Sequence, residues 1–151
     1  MKYRLKTVTW KFRDVRESHP DLQLKKNTAI TSPDDAFKFF RSLFKDRVKE
    51  LFVVVWLNNA NKVTGFEIIS EGNLSSSIVH PREVFRGAIV ETAASIILAH
   101  NHPSDNPEPS NEDKMITRQL VEAGKIIGIT VHDHLIFTNT TYLSFAERGL
   151  L

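Results

Sequence analysis

The sequence predicts an α/β fold, a mixed β-sheet flanked by helices, and three observations carry that expectation. The run Glu50 to Leu57 is continuously β-branched, aliphatic or aromatic after its first residue, the composition of a strand buried on both faces. Segments of helical periodicity alternate with further strand-like segments along the rest of the chain, as in an α/β sandwich. The chain has 151 residues, 41% hydrophobic and 25% charged, which suits one globular domain with a sizeable core.

Residues 1–31 read as a basic N-terminal segment of strand and loop, packed on a domain formed by residues 32–151. Positions 1–26 hold eight Lys and Arg against three acids, so this stretch carries +5 in a chain whose net charge is only +2. Val8, Trp10 and Phe12 alternate with Thr9 and Lys11, as in a half-buried strand. A basic arm also suits phosphates or an acidic partner, but no phosphate-binding motif accompanies it, so support for nucleic acid is weak.

Ser32-Pro33-Asp34-Asp35 has the order of a helix start, with a capping Ser, Pro at the first helical position and acids in the first turn. Ala36, Phe37, Phe40, Leu43 and Phe44 then recur at helical spacing and form one apolar face. After the strand at 50–57, Asn58 to Lys62 is a turn by composition, and Val63 to Ser70 is its hairpin partner. Gly72 to Ser77 is loop. His80-Pro81-Arg82-Glu83 opens a second helix, with Val84, Phe85, Ala88, Ile89 and Thr92 as its inner face. Ser95 to Ala99 is a third core strand. Three prolines stiffen the loop from His102 to Pro109, and a helix starts at Ser110, runs to about Ile127 and ends at Gly128. Ile129 to Phe137 is another strand, and Tyr142 to Arg148 reads as a short final helix.

The chain contains no cysteine, so disulfides and thiolate metal sites are excluded and a metal would need nitrogen and oxygen ligands. No signal-like segment opens it, and the longest apolar run, Leu51 to Leu57, is too short to span a bilayer. A cytoplasmic location without membrane contact is the expectation.

The chemistry concentrates where the third core strand runs out, in His100-Asn101-His102, followed by Ser110 and Asp113. Side chains two apart on a strand point to one side, so both imidazoles can reach one ion. The stiff loop turns the chain back, and Asp113, in the first turn of the next helix, can supply a third ligand. Two His and a carboxylate leave one tetrahedral position open, as a catalytic zinc site requires. The same donors also suit non-haem iron. Two other readings use the same letters: a pair of histidines satisfied at a strand end, and a capping box in Ser110-x-x-Asp113. Ser110 can both cap and catalyse. His132-Asp133-His134 is a second H-x-H, suited to a second metal, to contacts that support the first, or to a structural Asp–His bond. His80 and His19 read as structural or exposed.

The spacing H-x-H-x7-S-x2-D resembles the JAMM (MPN+) metalloprotease signature. The words around it, Leu98-Ala99-His100-Asn101-His102-Pro103-Ser104, His80-Pro81-Arg82-Glu83-Val84, Asp133-His134 and the closing Ser144 to Leu151, resemble the RadC family from about residue 32 to the end. The N-terminal helical region of longer members has no counterpart here, so the chain looks like a short form. The resemblance implies a JAB/MPN, cytidine-deaminase-like architecture, with Zn2+ held by His100, His102 and Asp113. It implies Ser110 as an oxyanion donor and Glu50, opening a core strand upstream, as the catalytic base. One departure is Asp105, where the family usually has Gly after H-P-S. It puts the loop geometry in question and adds a carboxylate near the metal.

The reaction implied is hydrolysis of a peptide or isopeptide bond, in a protein or peptide substrate that such sites can bind as an added strand along Val63 to Ser70. The alternatives are a DNA-associated role, either repair, in line with the family's label, or nuclease-like, and a non-catalytic binding module on the same fold.

Overall fold

The computed structural model describes residues 7–13, 19, 22, 28–72 and 79–151. In chain order they form α1 (Pro33–Phe44), β1 (Glu50–Leu57), β2 (Val63–Gly72), α2 (Pro81–Val90), β3 (Ser95–Asn101), α3 (Asn111–Ile127), β4 (Thr130–Phe137) and β5 (Tyr142–Ser144). The five strands make one sheet in the order β2-β1-β3-β4-β5. β3 and β4 run parallel, and every other neighbouring pair is antiparallel. The mixed sheet between helices is the α/β architecture expected.

The helices cover both faces. Ala36, Phe37, Phe40, Leu43 and Phe44 of α1 pack on Leu51, Val53, Val55 and Leu57, with Ile97, Ala99, Leu135 and Phe137 completing that core. On the other face, Val84, Phe85 and Ala88 of α2 and Ile116 and Leu120 of α3 pack on Phe52, Val54, Trp56, Ile96 and Leu98. β1 therefore has no solvent face, which is why its sequence is apolar at every position after Glu50. The helix starts follow from their caps. Ser32 and Asp35 form a reciprocal capping box on α1, and Ser110 and Asp113 form another on α3. Gly128 ends α3 with φ 82, a conformation open to glycine at little cost.

Three local expectations are corrected. Residues 7–13 carry no regular secondary structure, and Val8, Trp10 and Phe12 are exposed, although the Phe12 ring meets Trp56 edge-on at 6.2 Å. The inner face of α2 is built on Val84, Phe85, Gly87 and Ala88, and Ile89 is exposed on the outer face; the helix stops at Val90, so Thr92 already lies outside it with φ 56. Tyr142 to Arg148 is not a helix. Tyr142–Ser144 pairs with Leu135–Phe137, after which the Arg148 N–H bonds the Ser144 carbonyl in a single turn. Sheet pairing takes precedence here over a segment too short to sustain a helix by itself.

Among the described residues no helix is long and apolar enough to cross a membrane.

Candidate metal centre

β3 brings His100 and His102 to the end of the sheet facing α3. Because successive strand residues alternate, His100 lies on the same face as Ile96 and Leu98, under the first turns of α3. The α3 capping box places Asp113 at the third helical position, buried and turned toward the sheet. The His100 Nε2 and His102 Nε2 atoms are 3.0 Å apart, and Asp113 reaches them through separate oxygens, each at 3.4 Å. The three potential ligand atoms all lie within 4.8 Å of one another.

Each imidazole is fixed from behind. His102 Nδ1 is 2.7 Å from the Asn106 carbonyl, which can only accept, so Nδ1 carries the hydrogen and, when the ring is neutral, Nε2 presents a lone pair. His100 Nδ1 is 2.7 Å from His134 Nε2. Phe52 stacks on His100 at 6.1 Å between ring centroids, and Phe145 on His134 at 4.8 Å. Burial pushes the His100 imidazole down to about 4 despite the opposing charge of Asp113. Burial likewise holds His134 well below the ordinary imidazole range, with His100 adding to the effect. His102 is shifted up, first by its hydrogen bond to Asp113. For Asp113 burial is the largest single influence and acts upward. The combined pull of His102, His100 and Ser110 outweighs it and holds the carboxyl below the usual range.

These residues fit a divalent metal. Two imidazole nitrogens and a carboxylate crowd one point that only a proton or a cation can reconcile. With no thiolate in the set, the donors suit zinc in a three-ligand site with an open position.

The wall of the open cleft next to this cluster includes Glu50, His102, Ser110 and Asp113. Glu50 is the first residue of β1, and Ser110 caps α3. The Ser110 oxygen accepts from the Asp113 N–H at 3.0 Å, and the Ser110 N–H donates to Asp113 Oδ2 at 2.7 Å. That capping role uses a lone pair of the hydroxyl and does not use its hydrogen.

The other predicted positions resolve as follows. His80 caps α2, its Nδ1 accepting from the Arg82 N–H at 3.3 Å. The His19 ring packs edge-on to Phe66 at 5.2 Å. Asp105 adopts φ 62, the conformation its Gly counterpart would favour, and its carboxylate accepts from the Asn139 N–H at 2.8 Å. It braces the loop and does not face the metal cluster. The second H-x-H is not a second metal pair. Ile96 pairs with Val131 and Ile97 with Asp133, so His132 is an extra residue in a β-bulge. At the bulge His132 and Asp133 both line a cavity on the α1 side, while His134 turns to His100. Asp133 is bonded to the Ser144 hydroxyl at 2.6 Å and to the N–H groups of His134 and Ala146.

Three contributors were not visible in the sequence. The Asn106 carbonyl and the Thr117 hydroxyl hold the histidines from outside the motif, and Asn101 ties its strand to the backbone around Glu50. Thr117 has one sequence signal, its position one helical turn after Asp113. A main-chain carbonyl has none.

A family model described as a RadC-like JAB domain matches residues 30–150. The chain belongs to the RadC family. A UPF0758 protein of Salinibacter ruber is 49% identical over 140 residues, covering 93% of this chain and 60% of the relative. One from Trichlorobacter lovleyi is 52% identical over 122 residues, covering 81% and 53%. One from Methanosarcina mazei is 43% identical over the same number of residues. The chain thus spans little more than half the length of the curated relatives it matches. The JAB domain of this family is the sheet and helices described above, and its cluster of His100, His102 and Asp113 can hold a metal ion.

Proposed function

We propose that this RadC-family chain is a zinc-dependent hydrolase that cleaves an amide bond in a protein or peptide substrate. The observation that carries the proposal is the convergence of His100, His102 and Asp113 at the wall of a cleft that also contains Glu50 and Ser110. Zinc bound there would lower the pKa of a coordinated water to about 7 and polarise the substrate carbonyl. In this reading Glu50 takes the proton of the attacking water and returns it to the leaving amine. The Ser110 hydroxyl donates to the oxygen that gains charge. Asp113 and the two imidazoles hold the ion, and the buried packing of His100 keeps bulk water from that side.

A peptide fits better than a nucleic acid, because Glu50, Glu108, Glu112 and Asp113 line the cleft and would repel phosphates. β2 is an outer strand whose last residue pairs with Glu50. A peptide added beside it would lie about 5 Å beyond β2 and run toward the cleft.

The test is metal content by mass spectrometry for the wild type beside His100→Ala and Asp113→Ala, followed by peptide-library cleavage with Glu50→Gln as control. One zinc per chain, absent from both ligand variants, with cleavage lost in Glu50→Gln, is expected. A wild type that takes up no metal after zinc addition would remove the hydrolase reading and leave a binding module.

A further inference from the structure

His134 and Thr117 take no part in the chemistry above, yet both are fully buried against it. The Thr117 hydroxyl lies 2.6 Å from the Asp113 carbonyl and 2.6 Å from His134 Nδ1. A carbonyl oxygen cannot donate, so the only hydrogen available between the two oxygens is that of the hydroxyl. Thr117 therefore donates to Asp113 and accepts from His134 Nδ1–H. The neutral imidazole has one N–H, so His134 Nε2 is an acceptor, and at 2.7 Å it receives the Nδ1–H of His100. His100 Nε2 is then left with a lone pair, pointed at His102 and Asp113.

We propose that Thr117 and His134 form a directional hydrogen-bond relay that fixes the tautomer of His100, so that its Nε2 can take a metal without rearrangement. His134 is a positioning residue, and Thr117 sets the direction of the chain from the backbone of the helix that carries Asp113. The relay concerns which nitrogen of a neutral ring bears the hydrogen, with no change of charge. Among the described residues the His134 ring nitrogens bond only His100 and Thr117, and Phe52 and Phe145 pack against the ring. The β4 bulge at His132 is what allows it, by turning His134 to the α3 side of the sheet. The metal-affinity arm rests on the zinc-site reading above, whereas the tautomer arm does not.

Long-range 1H–15N spectra of the metal-free full chain at mildly alkaline pH read the tautomers directly. His100 should be in the Nδ1–H form in the wild type and in Thr117→Ser. In Thr117→Val, whose side chain fills the same space without a hydroxyl, His134 loses its acceptor. The relay should then reverse, moving the His100 hydrogen to Nε2. Zinc affinity by chelator competition should fall about 10–100-fold in Thr117→Val and in His134→Leu. It should return in Thr117→Ser and partly in His134→Gln. If His134→Leu does not fold, the Thr117 pair decides. A wild-type His100 in the Nε2–H form overturns the relay. Zinc binding by Thr117→Val equal to wild type also overturns it while leaving the metal reading intact. If the wild type binds no zinc, the metal reading falls and the tautomer spectra still decide the relay.

Discussion

The Asn101 side chain is hydrogen-bonded to the backbone of Leu51: its Oδ1 accepts the Leu51 N–H at 2.8 Å across 50 residues of sequence. Its amide also donates to the Lys49 carbonyl at 3.1 Å. Glu50 lies between those two bonds. The residue separating the two histidines thus holds the backbone on both sides of the carboxylate assigned as base. Asn101→Ala should lower turnover without changing metal stoichiometry. It should also destabilise the fold by about 1–3 kcal/mol, because the buried Leu51 N–H and the part-buried Lys49 carbonyl lose their partner. Mass-spectrometric zinc content beside peptide turnover separates the effects, and loss of zinc in this variant would contradict the assignment.

Proton competition at the centre should be staged. Metal binding needs both imidazoles neutral. His102 has its affinity for a proton raised by Asp113, so in the metal-free protein it charges first as pH falls. His100 is pushed down to about 4 and stays neutral until then. Asp113 is held below the usual carboxylate range and remains ionised. Zinc affinity should fall with decreasing pH below the raised value of His102, and binding there should release one proton from the ligands. Calorimetry in buffers of different ionisation enthalpy counts that proton, after correction for the bound water. Two would show that His100 also charges in this range.

Ser110 carries two roles that glycine can separate. Ser110→Ala should cost about 1 kcal/mol through the lost cap, and Ser110→Gly only a few tenths. Both should lower turnover by about 10²–10³ if the hydroxyl donates to the oxyanion. Urea midpoints and turnover on the same samples test this. A glycine variant that recovers activity along with stability would reduce Ser110 to a cap.

Asp105 offers a test away from the chemistry. At φ 62 it occupies a conformation costly for most side chains, and its carboxylate bonds Asn139. Asp105→Ala should destabilise by about 1–2 kcal/mol, keeping the strain and losing the bond. Asp105→Gly should lose less, and neither should change zinc affinity. A drop in affinity with Asp105→Ala would mean that the Asp105 side chain positions His102 beyond the bonds His102 makes to the Asn106 and Phe137 carbonyls and to the Asp105 N–H.

Much of this was legible in the sequence for local reasons. Caps at Ser32 and Ser110 write their geometry in adjacent letters, and a strand without a solvent face, as at Leu51 to Leu57, has no polar letters to confuse it. The three metal-site residues were legible because two share a strand end and the third opens a helix. What stayed hidden is non-local. Asn101 reads as a spacer until β1 lies beside β3, and Thr117 reads as a helix residue until His134 meets it. Tyr142 to Arg148 has a helix-like composition, but β4 offers its first three residues an edge. His132 and His134 look like a matched pair because the extra residue in the ladder leaves no mark in the letters.

That extra residue resolves a conflict of parity within β4. Val131 packs on the α3 side of the sheet and His134 reaches His100 on that same side, yet the two are three positions apart, and plain alternation would send them to opposite faces. The bulge absorbs the odd step, so that His132 and Asp133 both turn to the α1 side and the pairing with β3 continues beyond them. Removing His132, an exposed residue, would leave Val131, Asp133 and His134 with the partners and faces they have now, reached by plain alternation. The metal centre therefore needs the bulge only because the extra residue is there, and a strand one residue shorter at this point would present His134 to His100 equally well.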